Sequence, residues 1–198
     1  VAVNSAEAAD FVINTDTSLS NADLTISDND TITISQGVTV GVVGDEAFRT
    51  KKNDIVINNA GIVRDKSFHK MTLDDYEFVV KVHFLGSVYV THAAIPHMRE
   101  ANYGRILMVS SNSGLYGNFG QTNYSAAKMA VVGFMNTLKL EGARNNIIIN
   151  ALAPLAATRI AEPSGIFETY DPELVTPEAV AAMVSYLVSE DCTDSGNI

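Results

Sequence analysis

Along the 198 residues, the spacing of apolar positions changes character near residue 54. Beyond it, short continuous apolar runs alternate with longer stretches of helical period. Asp54-Ile-Val-Ile-Asn58 is such a run, stopped by Asn58-Asn59-Ala60-Gly61, and it predicts a strand buried on both faces. Tyr76, Val79, Val80, His83 and Phe84 recur at helical spacing. They predict a helix from Leu73 to about Met98, capped by Thr72 with Asp75 three residues later, and broken near Pro96. Arg105 to Ser110 predicts the next strand, Asn123 to Ala143 the next helix, and Ile147 to Ala153 a third strand stopped by Pro154. A final helix is expected from roughly Pro177 to Glu190, with proline in its first turn.

This order predicts an α/β fold in which a parallel sheet carries helices on both faces. The ligand crevice of such a sheet opens at the carboxyl ends of its strands. Asn58 to Gly61, Ser110, Ser111 and Pro154 all fall there.

Residues 1–50 read differently. Between Asp23 and Val43 the period is two, with β-branched residues and turn signals at Asp28-Asn29-Asp30 and Gln36-Gly37. Hairpins or a small antiparallel annex are expected, although the Ser/Thr/Asn/Asp richness of residues 14–36 also fits partial disorder. Asp45 to Lys51 is the short helix expected before the core. The division expected is a β-rich segment over 1–50, not an independent domain, and a catalytic core over 51–198.

Composition narrows the function classes. With 46% apolar and 18% charged residues, the chain suits one globular domain. Thirteen Lys and Arg against 23 Asp and Glu give a net charge of −10, which argues against a nucleic-acid partner. The single Cys192 forms no intrachain disulfide, and no secretory pattern or long apolar run stands out. An intracellular protein without a membrane span is expected. His69, His83, His92 and His97 fall in no HExxH or Cys/His pattern, so no metal site is expected.

The candidate chemistry lies in SSNSGLYGNFGQTNYSAAK, residues 110–128. Tyr124 and Lys128 are four apart on one predicted helix and share a face. A phenol is a poor base at neutral pH, and a nearby ammonium favours its ionisation, so Tyr124 is expected to exchange a proton with a substrate oxygen. Ser111 is placed to hold the same oxygen. Hydride transfer fits this set, with a nicotinamide to supply or accept the hydride. The same residues also fit a plain strand end and an amphipathic pair over the sheet edge. Gly114, Gly117 and Gly120 add a loop that accommodates positive φ or close approach.

These residues resemble the short-chain dehydrogenase/reductase family, whose Ser and Tyr-x-x-x-Lys match Ser111, Tyr124 and Lys128. Asn58, Asn59, Ala60 and Gly61 look like its Asn-Asn-Ala-Gly motif, which supports the cofactor pocket. More narrowly, NNAGIVRDKSFHKMT and LEGARNNIIINALAP are similar to the (3R)-hydroxyacyl-CoA dehydrogenase units of peroxisomal multifunctional enzymes, from about Asp54 onward. The resemblance implies an incomplete Rossmann-like sheet and NAD-dependent oxidation of a (3R)-hydroxyacyl-CoA, an acyl-CoA substrate, to the 3-ketoacyl-CoA. It implies further a homodimer packed through helices 73–98 and 123–143, and a peroxisomal location. His83 stands where most of the family keeps a catalytic Asn and is carried as a catalytic candidate, with a packed helix residue as the alternative. Pro154 and Thr158 are carried, with Asn58 to Gly61, Tyr124 and Lys128, as cofactor-binding candidates. Arg64, Asp65 and Lys66 read either as a contact for CoA phosphates or as a solvated loop.

Two parts of the pattern are missing from this sequence. No Thr-Gly-x-x-x-Gly-x-Gly run precedes Asp54, and Gly37, Gly41 and Gly44 are spaced differently. The residues run out at Asp194 to Ile198, where the family's last strand is expected to start. The alternative reading is therefore a dehydrogenase-like structural or dimerisation domain with impaired catalysis, or a fragment of a larger multifunctional enzyme.

Overall fold

A computed structural model describes residues 10–13, 31–34, 38–41, 55–156, 171 and 175–198. Three strands, β4 (Ile55–Asn58), β5 (Gly104–Val109) and β6 (Ile147–Leu152), form a parallel sheet in the order β4-β5-β6. Ile55 pairs with Arg105, and Gly104 with Ile147. The expected parallel sheet is therefore present, with helical crossovers between successive strands.

Strand periodicity sorts the core onto two faces. Val56, Ile106, Met108, Ile149 and Ala151 meet Val90, Ala94, Met98, Val131, Val132 and Met135 of the crossover helices. Ile55 and Leu107 point the other way, against Val184, Leu187 and Val188 at the last helix, α5 (Pro177–Leu187). The expected helices on both faces are thus observed. Threonines cap two of them: Thr72 Oγ1 accepts from Asp75 N at 3.1 Å, and Thr176 Oγ1 from Ala179 N at 3.2 Å.

The first crossover differs from expectation. It comprises α1 (Leu73–Val80), a five-residue π turn (Lys81–Leu85) and α2 (Gly86–Ala101), and it is not broken at Pro96. Pro96 and His92, the residue whose carbonyl loses its donor, are both exposed, so water can serve that oxygen. The irregularity lies ten residues earlier, where Gly86 N reaches the Lys81 carbonyl. Together Leu73–Ala101 is a 29-residue helical stretch long and apolar enough to cross a membrane, contrary to the expectation that no such run exists. Val79, Val90, Ala94 and Met98 bury one stripe of it, and Val90, Ala94 and Met98 pack in the sheet's core cluster, as in a core helix.

The second crossover holds α3 (Asn112–Tyr116) and α4 (Thr122–Gly142). After α5 the chain returns along β6: Gly196 N bonds Ile149 O at 2.8 Å, and Ala151 N bonds Asn197 O at 2.9 Å. Buried Asn150 fastens this return, donating to Asp194 O and accepting from Asn197 N.

In the N-terminal part, β2 (Thr31–Ile34) and β3 (Val38–Gly41) form the expected antiparallel pair. β1 (Asp10–Ile13) joins them in parallel, Asp10 opposite Thr31, which an antiparallel annex did not foresee. Parallel pairing is possible because a long connection separates β1 from β2. The helix expected at Asp45 to Lys51, the turn at Gln36-Gly37 and the cofactor candidate Thr158 lie outside the described residues.

Candidate functional site

The parallel sheet brings the turn after β4, the end of β5 and the start of α4 to one edge. Ser110, at the end of β5, is buried and donates its hydroxyl to Lys128 O at 2.9 Å. That bond fixes the height of α4 relative to the strand. Ser111 follows as the N-cap of α3, its Oγ 3.2 Å from Ser113 N, and also hydrogen-bonds Tyr124.

Gly114 lets α3 approach α4. A Cβ there would stand 2.7 Å from Lys128 Cβ and 3.0 Å from its carbonyl carbon. Gly117 and Gly120 take positive φ, 84° and 81°, so the three glycines serve the two purposes expected of the loop.

Lys128 is 4% exposed, and its Nζ donates to Val109 O at 2.7 Å. Burial lowers its pKa from 10.5 to about 8. Tyr124 is half-buried, with its ring centroid 5.6 Å from Lys128 Nζ. Burial raises the phenol pKa, the Ser111 hydrogen bond opposes that rise, and the charge on Asp65 adds to it. The expectation that Lys128 promotes Tyr124 ionisation therefore needs correcting for this arrangement. The ammonium is engaged by a backbone carbonyl, and desolvation of the phenol dominates.

His83 lies in the π turn and is 3% exposed. Its ring meets that of Tyr124 edge-on, with centroids 5.0 Å apart. One nitrogen, Nε2, lies 2.7 Å from Ile62 O and 3.0 Å from Ile62 N. A neutral imidazole serves these two backbone groups one at a time, according to its tautomer. Burial first, and then the Lys128 charge, hold the pKa down at about 3. His83 is thus neutral at ordinary pH and ties the turn after β4 to the π turn. Gly61 makes that tie possible, since a Cβ there would stand 2.6 Å from His83 Cε1.

Of the remaining candidates, Asn58 is buried and donates to Thr91 Oγ1 at 3.1 Å, while its Oδ1 has no partner. Ala60 is buried, Asn59 is exposed, and Pro154 is partly exposed just past β6. Arg64 and Lys66 are engaged with Asp75, at 3.8 and 3.0 Å. No group of three or more His, Cys, Asp or Glu gathers as a metal site among the described residues.

The structure adds residues that spacing did not single out. Asn123 is 0% exposed; it donates to Arg64 O at 3.2 Å and accepts from Tyr124 N at 2.8 Å. Gln121 donates to Asp65 Oδ2 at 2.7 Å and accepts from Asn118. Polar residues at a helix start are ordinary in sequence, so nothing there marked these two.

Comparisons with known proteins agree with this arrangement. The family profile described as short chain dehydrogenase matches residues 28–164. A short-chain type dehydrogenase/reductase of Mycobacterium tuberculosis is 52% identical over 143 residues, covering 72% of this chain and 49% of that protein. Peroxisomal multifunctional enzyme type 2 of Drosophila melanogaster is 49% identical over 147 residues, covering 73% of this chain and 24% of that one. The solved full-length structure of the Drosophila enzyme is similar with a TM-score of 0.59, at 47% identity, over 71% of this chain and 25% of that one. The chain spans half or less of the length of these relatives. With the family profile matched over most of its length and the Ser, Tyr and Lys positions gathered at one sheet edge, the chain belongs to the short-chain dehydrogenase family.

Proposed function

We propose that this chain is a nicotinamide-dependent oxidoreductase unit that interconverts the 3-hydroxy and 3-keto forms of an acyl-CoA, with NAD as its cofactor. The observation that carries the reading is the convergence of Ser111, Tyr124 and buried Lys128 at the carboxyl ends of parallel strands. Similarity to peroxisomal multifunctional enzymes supports the substrate class and a peroxisomal setting.

The residues present fit the nicotinamide half of a dinucleotide. Lys128 Nζ has three donors, and Val109 O takes one, leaving two for ribose hydroxyls. The turn Asn58 to Gly61 and Pro154 flank the same edge and complete the candidate seat. When bound, the dinucleotide accepts the hydride from the alcohol carbon. Ser111 and Tyr124 hold the substrate oxygen, and Tyr124 takes its proton in oxidation and returns it in reduction. Burial brings the Lys128 pKa down to about 8, and its Val109 bond holds the ammonium at this edge.

The test is NADH formation with a (3R)-hydroxyacyl-CoA. Tyr124→Phe should lower turnover by about 10²–10⁴-fold while the protein stays folded. A folded wild-type protein that forms no NADH would overturn the reading. A second reading, a dehydrogenase-like domain without turnover, is favoured by the missing glycine run before Asp54. Calorimetric titration separates the two, since NAD binding in the micromolar to low-millimolar range counts against the second.

A further inference from the structure

We infer that Asn123 is a positioning residue for Tyr124: its buried amide ties the helix turn carrying Tyr124 to the loop after β4, and so holds the phenol ring against His83. The inference rests on the acid–base role proposed above for Tyr124.

Tyr124 is the third residue of α4, so its backbone N–H has no acceptor within the helix. An N-cap side chain ordinarily supplies one, but Gln121 in that position makes no capping bond and turns to Asp65 and Asn118 instead. Asn123 supplies it: Tyr124 N donates to Asn123 Oδ1 at 2.8 Å, and Asn123 Nδ2 donates to Arg64 O at 3.2 Å. A backbone N–H only donates and a carbonyl oxygen only accepts, so one orientation of the amide serves both. Asn123 is 0% exposed, and bulk water does not compete for either bond.

The loop at the far end of this tie is itself held from three sides. His83 Nε2 lies 3.0 Å from Ile62 N and 2.7 Å from Ile62 O. Arg64 and Lys66 reach Asp75 on α1, and Lys66 N donates to Gly120 O at 2.9 Å. His83 also meets the Tyr124 ring edge-on, with 5.0 Å between centroids. The contacts therefore close on themselves, from His83 through Ile62, Arg64 and Asn123 to Tyr124 and back to His83. Displacing the Tyr124 ring requires breaking the Asn123 tie or lifting the loop off the π turn. A helix cap alone needs only the acceptor; the donor, aimed at Arg64 O, is what joins the helix turn to the loop.

The experiment is NMR on protein labelled with ¹³C and ¹⁵N, with Tyr124→Phe assigning the ring. It needs no turnover, so it succeeds or fails independently of the dehydrogenase assay. In the unmodified protein the Tyr124 and His83 rings should share a nuclear Overhauser effect, and the Tyr124 amide should exchange at least about 100-fold more slowly than an unstructured amide. Asn123→Leu, which keeps the volume and removes both bonds, should weaken the ring contact several-fold and speed that amide. Asn123→Asp keeps the acceptor for Tyr124 N and suits a first helical turn, so it should fold, leave the amide slow and still weaken the ring contact. The edge-on contact between Phe84 and Phe134 should persist in both variants, since it belongs to the core and not to this tie. A full Tyr124–His83 contact in folded Asn123→Asp overturns the inference, as does loss of both ring contacts together, which would mark a general loosening of the fold. A fast Tyr124 amide in the unmodified protein overturns it without any variant.

Discussion

His83 shows how much a single residue owes to its surroundings. Its pKa is lowered from 6.5 to about 3, so the folded state holds fewer protons than the unfolded state between those values. The resulting stability is fully present above pH 6.5 and is lost as pH falls toward 3. Acid unfolding followed by circular dichroism should show this slope in the unmodified protein and a shallower one in His83→Asn, whose amide offers a donor and an acceptor to Ile62. Gly61 is the partner constraint. Gly61→Ala should cost about 1–3 kcal/mol in denaturant unfolding, because the new methyl meets a buried ring rather than a flexible chain end. The Asn58-Asn59-Ala60-Gly61 motif was legible in sequence, whereas the reason for its last glycine was not. That reason is a side chain 22 positions away.

At the scale of elements, the strands and helices of residues 55–152 fall within a few positions of where apolar spacing puts them. Two-sided burial makes the strands legible, and capping threonines make the helix starts so. The site of irregularity was misplaced, because proline is visible in sequence while a π turn has no compositional mark. Pro96→Ala should accordingly raise stability by about 1–2 kcal/mol in thermal or denaturant melts, since it restores a helix bond on an exposed face without relieving any kink. Gly114→Ala should do the reverse. Its methyl would meet the Lys128 Cβ and backbone, which cannot rotate away, so α3 and α4 must separate. A melting point below that of the unmodified protein, with weaker NAD binding, is the expected result.

Viewed whole, the molecule leaves Leu73, Tyr89, Met129 and Leu140 exposed on α1, α2 and α4, the helices proposed to pack a homodimer. Leu140 is 72% exposed. Sedimentation should give about twice the 21.2 kDa chain mass, and Met129→Glu with Leu140→Glu should return it to the mass of one chain. A single-chain mass for the unmodified protein would refute the dimer. The expected split at residue 50 separates two patterns of periodicity, and the profile match beginning at residue 28 crosses it.

The amino-acid sequence by itself determined the α/β class, the parallel order of strands and the candidate set Ser111, Tyr124 and Lys128. Periodicity, turn chemistry and side-chain spacing act over a few residues, and all of them are written locally. Tertiary structure alone decided the protonation behaviour of that set. The Lys128 ammonium turns to Val109 O, burial holds His83 neutral, and desolvation raises the Tyr124 phenol. Desolvation and charge act through space, and they depend on which distant segments the fold brings together.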